Sequence, residues 1–343
     1  MSRSEILLDV EDLDVVYLGL TDSENVKACA DISFTLRRGE ILGIAGESAS
    51  GKSTLLNAIT RIQQPPAVTP KGTVTFYEDD ETSGVDLVRC SPKTLRRFRW
   101  SDISIVMQSA MACLNPVMRL GAQFADAIKA HNPKLSRQQI REQTSQLLGM
   151  VGIAPQAMDK FAHELSGGMR QRALIALALA CEPDLIVMDE PTTAVDVVMQ
   201  RQILNQILHL QRELGFAVVF VTHDLSLLLE MADRIAIMYG GRIVELGAAR
   251  QIADNPQHPY TVGLRNSFPS LTEERKERHG IPGSPPDLRK LPPGCAFQPR
   301  CEEAIGVCER IRPELIDTGL ATVACHVRAA ESDTRNTPEE VTV

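Results

Sequence analysis

Gly46-Glu47-Ser48-Ala49-Ser50-Gly51-Lys52-Ser53 fits the pattern G-x-x-x-x-G-K-[ST]. The apolar run ILGIA ahead of it reads as a buried strand, and STLLNAITRI after it has helical spacing. The order is therefore strand, glycine-rich loop, helix. Glycines let backbone N–H groups converge on phosphate oxygens, and the helix N-terminus adds positive potential. Lys52 can reach β- and γ-phosphates, and the Ser53 hydroxyl can ligate Mg²⁺. With Thr54 following, this stretch is the candidate nucleotide site.

Further along, Asp184-Leu185-Ile186-Val187-Met188-Asp189-Glu190 is an apolar strand ending in two carboxylates. Such a strand delivers them to the carboxyl edge of a sheet, where ligands of α/β folds bind. Asp189 can hold Mg²⁺ through water, and Glu190 can polarise a water for attack on the γ-phosphate. Between these two motifs stands LSGGMRQR, Leu165 to Arg172. Ser166 is placed to cap a helix. Gly167 and Gly168 cost stability in a first turn, which close approach to an anion would explain.

The rest of the chain frames these motifs. LLDVEDLDVVYL and ACADISFTL alternate as half-buried strands, giving an early antiparallel β subdomain. Residues from about 90 to 165 read as a helical insertion, including the basic PKTLRRFRW and the amphipathic RQQIREQTSQLLGMVGI. After it, helices alternate with the apolar strands DLIVMDE and AVVFVTHD, which predicts a parallel sheet covered on both faces. RIAIMYGGRIVELG predicts a hairpin turning at Gly240 and Gly241. The expected domains are 1–255, then a small proline-rich module over 256–328, then a disordered polar tail over 329–343.

Composition narrows the class. The chain has 343 residues with 44 acids against 36 bases, so a general nucleic-acid binder is disfavoured. The best apolar run, Ala173 to Cys181, is about half of a membrane span. The start, MSRSEILLDVEDLD, has acids where a signal peptide would be apolar. A cytoplasmic chain attached to the membrane through a partner is the expectation. In that compartment the cluster Cys295, Cys301, Cys308 and Cys325 points to a metal site rather than disulfides. Its spacing, C-x5-C-x6-C-x16-C, lacks the tight pairs usual for structural zinc. An iron–sulfur cluster, zinc and unliganded thiols all remain open on the residues alone. His326 is a bystander.

GESASGKS, LSGGMRQR and LIVMDEP, in that order, resemble the three motifs of ATP-binding cassette (ABC) ATPases. The resemblance covers about residues 5 to 330. It implies an α/β P-loop NTPase cassette with an antiparallel β subdomain and a helical insertion, hydrolysing Mg·ATP. It also implies roles for matching positions. Tyr17 would stack on adenine. Gln108 would contact Mg²⁺ and the attacking water. His223 would sit beside the γ-phosphate, and Asp196 would communicate between paired cassettes. Family members pair head to tail, so Ser166 and Gly168 would contact the ATP held by the partner's lysine. Departures are Ala49 for a frequent Gly, a small change; Ser109-Ala110 for Asp-Pro; and Val195 for Leu.

NPQHPYT (255–261) and IPGSPPDLRKLPPGCAFQPRC (281–301) resemble the ATPase subunits of oligopeptide and dipeptide importers, a branch that includes nickel and oligosaccharide relatives. In that branch the four cysteines can hold a [4Fe–4S] cluster. The implied partners are a second, paralogous ATPase, two transmembrane permease subunits and an extracytoplasmic solute-binding protein, at the cytoplasmic face of the inner membrane. A soluble, non-transport cassette ATPase is the rival reading. Such proteins usually carry two cassettes or a coiled-coil insertion, and this sequence has neither.

Overall fold

A computed structural model describes residues 5–78, 84–108, 113–192, 195–267 and 280–335. The chain opens with β1 (Ile6–Tyr17), β2 (Val26–Arg37), β3 (Ile41–Ala45), α1 (Lys52–Ile59), β4 (Ala67–Phe76) and β5 (Val85–Asp86). It continues through α2 (Pro92–Phe98), β6 (Ile103–Val106), α3 (Leu120–His131), α4 (Arg137–Met150), α5 (Gly167–Ala178) and β7 (Leu185–Asp189). Then come α6 (Val197–Leu214), β8 (Ala217–Val221), α7 (Leu225–Met231), β9 (Arg234–Tyr239) and β10 (Arg242–Ala248). The end carries α8 (Ala249–Asp254), α9 (Pro259–Ser267), β11 (Ile316–Asp317), β12 (Thr322–Val323) and α10 (His326–Arg335). Among the described residues, no helix is long and apolar enough to cross a membrane.

The chain divides into two compact units. The first comprises Met1–Asp9, Thr35–Ile41 and Thr75–Val221. In it β6, β7 and β8 are neighbours in parallel, with Ile103 opposite Leu185 and Leu185 opposite Ala217. Every residue of β7 and β8 is buried, as continuous apolar runs in a doubly covered sheet require. The expected helical insertion is present in α3 and α4, the latter opened by a Ser136–Gln139 capping box. The stretch from 90 to 165 is not wholly helical, however. Ile103–Val106 is a strand, because its β-branched residues pair with β7.

The second unit comprises Val10–Phe34, Leu42–Val74 and Thr222–Val343. The parts of β1, β2 and β4 within it are neighbours in the order β2-β1-β4. A second sheet runs β11-β12-β10-β9-β3, with β3 parallel to β9. The predicted β9–β10 hairpin is present, with Gly240 at φ 56° and Gly241 at φ 78°. Two successive positive φ values are what a tight primed turn needs, and glycine supplies them without a Cβ penalty.

The C-terminal stretch is more regular than its proline content predicts. β12 adds to β10, with Val323 opposite Glu245, and buries Ala321, Val323 and Cys325 together. Residues 329–335, expected as part of a disordered tail, continue the helix α10. Residues 336–343 lie outside the described residues.

Candidate nucleotide site

In the second unit β3 is fully buried and ends at Ala45, so the loop from Gly46 leaves from a fixed point. Glycine is required at both ends of that loop. A Cβ on Gly46 would run into the Met238 carbonyl, and one on Gly51 (φ 102°) into the Ala28 carbonyl. Ala49 also has a positive φ of 62°. Replacing the frequent glycine there is therefore less neutral than its small size implies, because a left-handed alanine is strained. Ser50 is buried and Ser48 exposed, while Ser53 presents its hydroxyl at the surface of the first turn of α1.

Lys52 is 7% exposed. Its ammonium donates to the Gly46 carbonyl at 2.7 Å and the Glu47 carbonyl at 2.9 Å. The cation is thus curled back onto the carbonyls of the loop that precedes it. Tyr17, at the end of β1, hydrogen-bonds Thr54 between hydroxyls at 3.1 Å, so the expected adenine-stacking ring is tied to α1. The Thr222 amide donates to the Ile44 carbonyl, which anchors the chain immediately before the exposed His223 to the strand leading into Gly46.

The first unit carries the acidic residues. Asp189 is buried at the end of β7. Glu190 follows at φ 45°, its amide donating to the Val221 carbonyl at 2.9 Å. The Gln108 amide nitrogen donates to Glu190 Oε2 at 2.8 Å, so two residues separated by 82 positions meet. Ser109-Ala110 lie outside the described residues. Within this unit the Asp189 carboxylate and the Gln108 amide oxygen are hard oxygen donors, the type that suits Mg²⁺.

Ser166 caps α5, its hydroxyl accepting from the Met169 amide. The two glycines beside it differ. Nothing lies within 4 Å of a Cβ placed on Gly167. A Cβ on Gly168 would sit 2.8 Å from Met199 Sδ. Only Gly167 keeps the open face expected of an anion surface; Gly168 is small because α6 packs against it. Asp196 caps α6 by accepting from the Met199 amide at 2.9 Å. Val197 and Val198, next to Asp196, are 74% and 70% exposed.

The four C-terminal cysteines all lie in the second unit. The Cys295 amide donates to the Cys308 carbonyl at 2.8 Å. Burial raises the Cys295 thiol, and Cys308 and Cys325 raise it further. Burial raises Cys301 to about 11, with Cys295 and Cys325 adding to it. Burial and Cys308 raise Cys325. Among the described residues, no three His, Cys, Asp or Glu side chains stand close enough to share one metal ion. The four thiols form no metal-binding group among the described residues, so the structure does not itself supply the expected iron–sulfur site.

Several residues of this region carry no recognisable chemical motif in the sequence. Glu245, fully buried on β10, accepts the amides of Gln257 and His258, each at 2.8 Å. His258 Nδ1 accepts the Tyr260 amide at 3.0 Å. Tyr260 Oη accepts the Glu47 amide at 2.8 Å. Arg300 forms a two-pronged ion pair with Glu47, Nη1 to Oε2 at 2.7 Å and Nη2 to Oε1 at 3.0 Å. NPQHPYT was the available signal, but nothing in its spacing says that its tyrosine reaches a phosphate loop.

Comparison with known proteins agrees with these features. The ABC transporter family profile matches residues 29–193, and the profile of the oligopeptide/dipeptide transporter C-terminal region matches residues 244–308. The chain is 40% identical over 324 residues to the dipeptide transport ATP-binding protein DppD of Caldanaerobacter subterraneus subsp. tengcongensis, covering 94% of this chain and 97% of that protein. It is 40% identical over 312 residues to the oligopeptide transport ATP-binding protein OppD of Salmonella typhimurium, covering 90% of each. Among solved structures it resembles the dimeric, post-hydrolysis ATP-binding cassette MJ0796 bound to ADP and Pi. That likeness has a TM-score of 0.62 and 26% identity, and covers 71% of this chain and 99% of that one. With its phosphate loop, its carboxylate strand end and its matched C-terminal region, the chain belongs to the ABC transporter ATPases of the oligopeptide/dipeptide family.

Proposed function

We propose that this chain is the ATP-hydrolysing subunit of a binding-protein-dependent importer of di- and oligopeptides. The observation that carries the peptide class is the C-terminal region, residues 244–308, whose HPYT segment is built onto buried Glu245. Lys52 and the amides of Gly46 to Ser53 bind the phosphates. The Ser53 hydroxyl, the Gln108 amide oxygen and, through water, Asp189 would hold Mg²⁺, which when bound would supply charge neutralisation for the phosphates. Glu190, oriented by Gln108, positions the attacking water, and His223 supports the γ-phosphate. Ser166 and Gly167 at the start of α5 serve the ATP of a second cassette. The exposed Val197 and Val198 beside Asp196 support that pairing, since apolar side chains at such exposure gain from burial.

The second cassette is a paralogue, and the pair works beneath two permease subunits with an extracytoplasmic solute-binding protein. Cys295, Cys301, Cys308 and Cys325 hold a [4Fe–4S] cluster. Their crowding into residues 295–325 of one unit supports this, and ligation would displace the protons that burial holds on Cys295, Cys301 and Cys325. Uptake of labelled dipeptides, oligopeptides, nickel and oligosaccharide in cells lacking this chain tests the reading. Peptide uptake is lost, and the wild-type chain but not Glu190→Gln restores it. Intact peptide uptake with loss of another solute overturns the cargo. Anaerobic purification yields about four irons and four sulfides per chain; zinc or no metal overturns the cluster.

A further inference from the structure

Glu47, the second residue of the phosphate loop, is held at three points within the second unit. Its amide donates to Tyr260 Oη at 2.8 Å. Its carbonyl accepts from the Lys52 ammonium at 2.9 Å. Its carboxylate is gripped by both terminal nitrogens of Arg300, at 2.7 and 3.0 Å. The side chain that grips it is only 6% exposed, while Glu47 itself is 24% exposed. A paired guanidinium of this kind gives direction as well as charge.

Arg300 is itself immobilised. Its Nε donates to the Pro282 carbonyl at 2.7 Å, and Nη1 reaches Tyr239 Oη at 3.2 Å. The guanidinium lies 5.8 Å from the Tyr239 ring centre and 5.9 Å from that of Phe297. Tyr239, Tyr260 and Phe297 pack on one another with centres 4.5 to 5.4 Å apart. The side chain therefore has one available geometry, set by the module it belongs to.

In the chain, Arg300 stands between Cys295 and Cys301, two of the four cysteines. Residues Gln298–Arg300 form a single 3-10 turn. The Gln298 amide donates to the Cys295 carbonyl at 3.0 Å, and the Cys301 amide to the Gln298 carbonyl at 3.2 Å. Whatever grips Cys295 and Cys301 fixes the turn, and the turn aims Arg300 at Glu47.

We infer that Arg300 is a positioning residue through which the four-cysteine module controls nucleotide affinity at the phosphate loop. Displacing the turn releases the Glu47 carboxylate, and with it the carbonyl that holds the Lys52 ammonium. The metal at the four thiols rests on the reading given above; the path from Cys295 through Arg300 to Glu47 is a property of the side chains.

The test is MgADP binding to the full-length chain, with metal content measured on each sample. Arg300→Lys and Glu47→Gln each weaken MgADP about fivefold or more, and the loss appears in KM for MgATP rather than in kcat. Cys295→Ser weakens MgADP by a similar factor in the wild-type background and by less than about twofold in Glu47→Gln, because the path is already cut. Glu47 lies in a partly exposed loop, so its variant reads the path even if Arg300→Lys folds poorly. Unchanged MgADP affinity in Glu47→Gln overturns the inference, as does a Cys295→Ser penalty of equal size in both backgrounds. Absence of iron in the wild-type chain sinks the cluster alone, since the cycle between Cys295 and Glu47 reads side chains and not the metal.

Discussion

Gln108 donates its amide hydrogen to Glu190 Oε2 at 2.8 Å, joining the residue that follows β6 by two positions to the residue just past the end of β7. The parallel pairing of the two strands, Val106 opposite Met188, sets both side chains at the same sheet edge. Glu190→Gln keeps the shape and removes the charge proposed to polarise water. It should lower kcat by a factor of about 10² to 10⁴ while MgATP still binds. Gln108→Ala leaves the carboxylate without its orienting donor and should lower kcat by about 10- to 100-fold, the equivalent of a charged hydrogen bond. Steady-state ATPase assays with parallel nucleotide binding measure both. Unchanged hydrolysis in Glu190→Gln would falsify its assignment.

Ala49 adopts φ 62° in the phosphate loop. Glycine accepts that conformation freely, whereas alanine is strained by roughly 1–2 kcal/mol, partly offset by the larger unfolded-state entropy of glycine. Ala49→Gly should therefore raise folding stability by about 0.5–1 kcal/mol in denaturant titration. A loss of stability of that size would show that the left-handed geometry is not strained.

Gly168 faces Met199, and a methyl group added at Gly168 would lie only 2.8 Å from the sulfur. Gly168→Val should destabilise by about 1–3 kcal/mol through overpacking. Met199→Ala should recover more than half of that loss, because the two side chains compete for one space. Equal losses with and without Met199 would place the clash elsewhere.

His258 is 1% exposed, and burial, assisted by the charge of Arg328, lowers its pKa from 6.5 to about 3; a hydrogen bond with Ala324 opposes the shift. The folded state holds the ring neutral while the unfolded chain protonates it below 6.5. The stability it contributes is full above 6.5 and is lost as pH falls toward 3, at up to about 1.4 kcal/mol per pH unit. Buried Glu245, raised by burial, acts in the opposite sense. Comparison with His258→Asn, which keeps an acceptor for the Tyr260 amide, removes the Glu245 contribution from the difference. The melting temperature of the wild type should fall more steeply than that of the variant between pH 6.5 and about 4. Parallel curves would mean that His258 is not held neutral.

What could be read from the chain alone depended on how far apart the interacting residues lie. The strand before Gly46, the helix from Lys52 and the Gly240–Gly241 hairpin are local, and periodicity with glycine placement reveals them. The helical reading of residues 90–165 missed Ile103–Val106, since so short a run has no period long enough to separate strand from helix. The tail reading missed the helix continuing from His326 to Arg335, whose polar composition resembles that of disorder.

The sequence by itself determined the phosphate loop, the carboxylates at the end of β7 and the cap of α5, because each is a contiguous run whose backbone needs and side-chain chemistry are adjacent in the chain. Only the tertiary structure decided that Gly168 makes room for Met199, that Glu245 holds the amides of Gln257 and His258, and that Arg300 pairs with Glu47 across 253 positions. Such pairings leave no periodic trace. The Glu245 and Arg300 pairings draw their energy from burial and from the direction of hydrogen bonds between segments that are distant in the chain and meet only in the folded second unit.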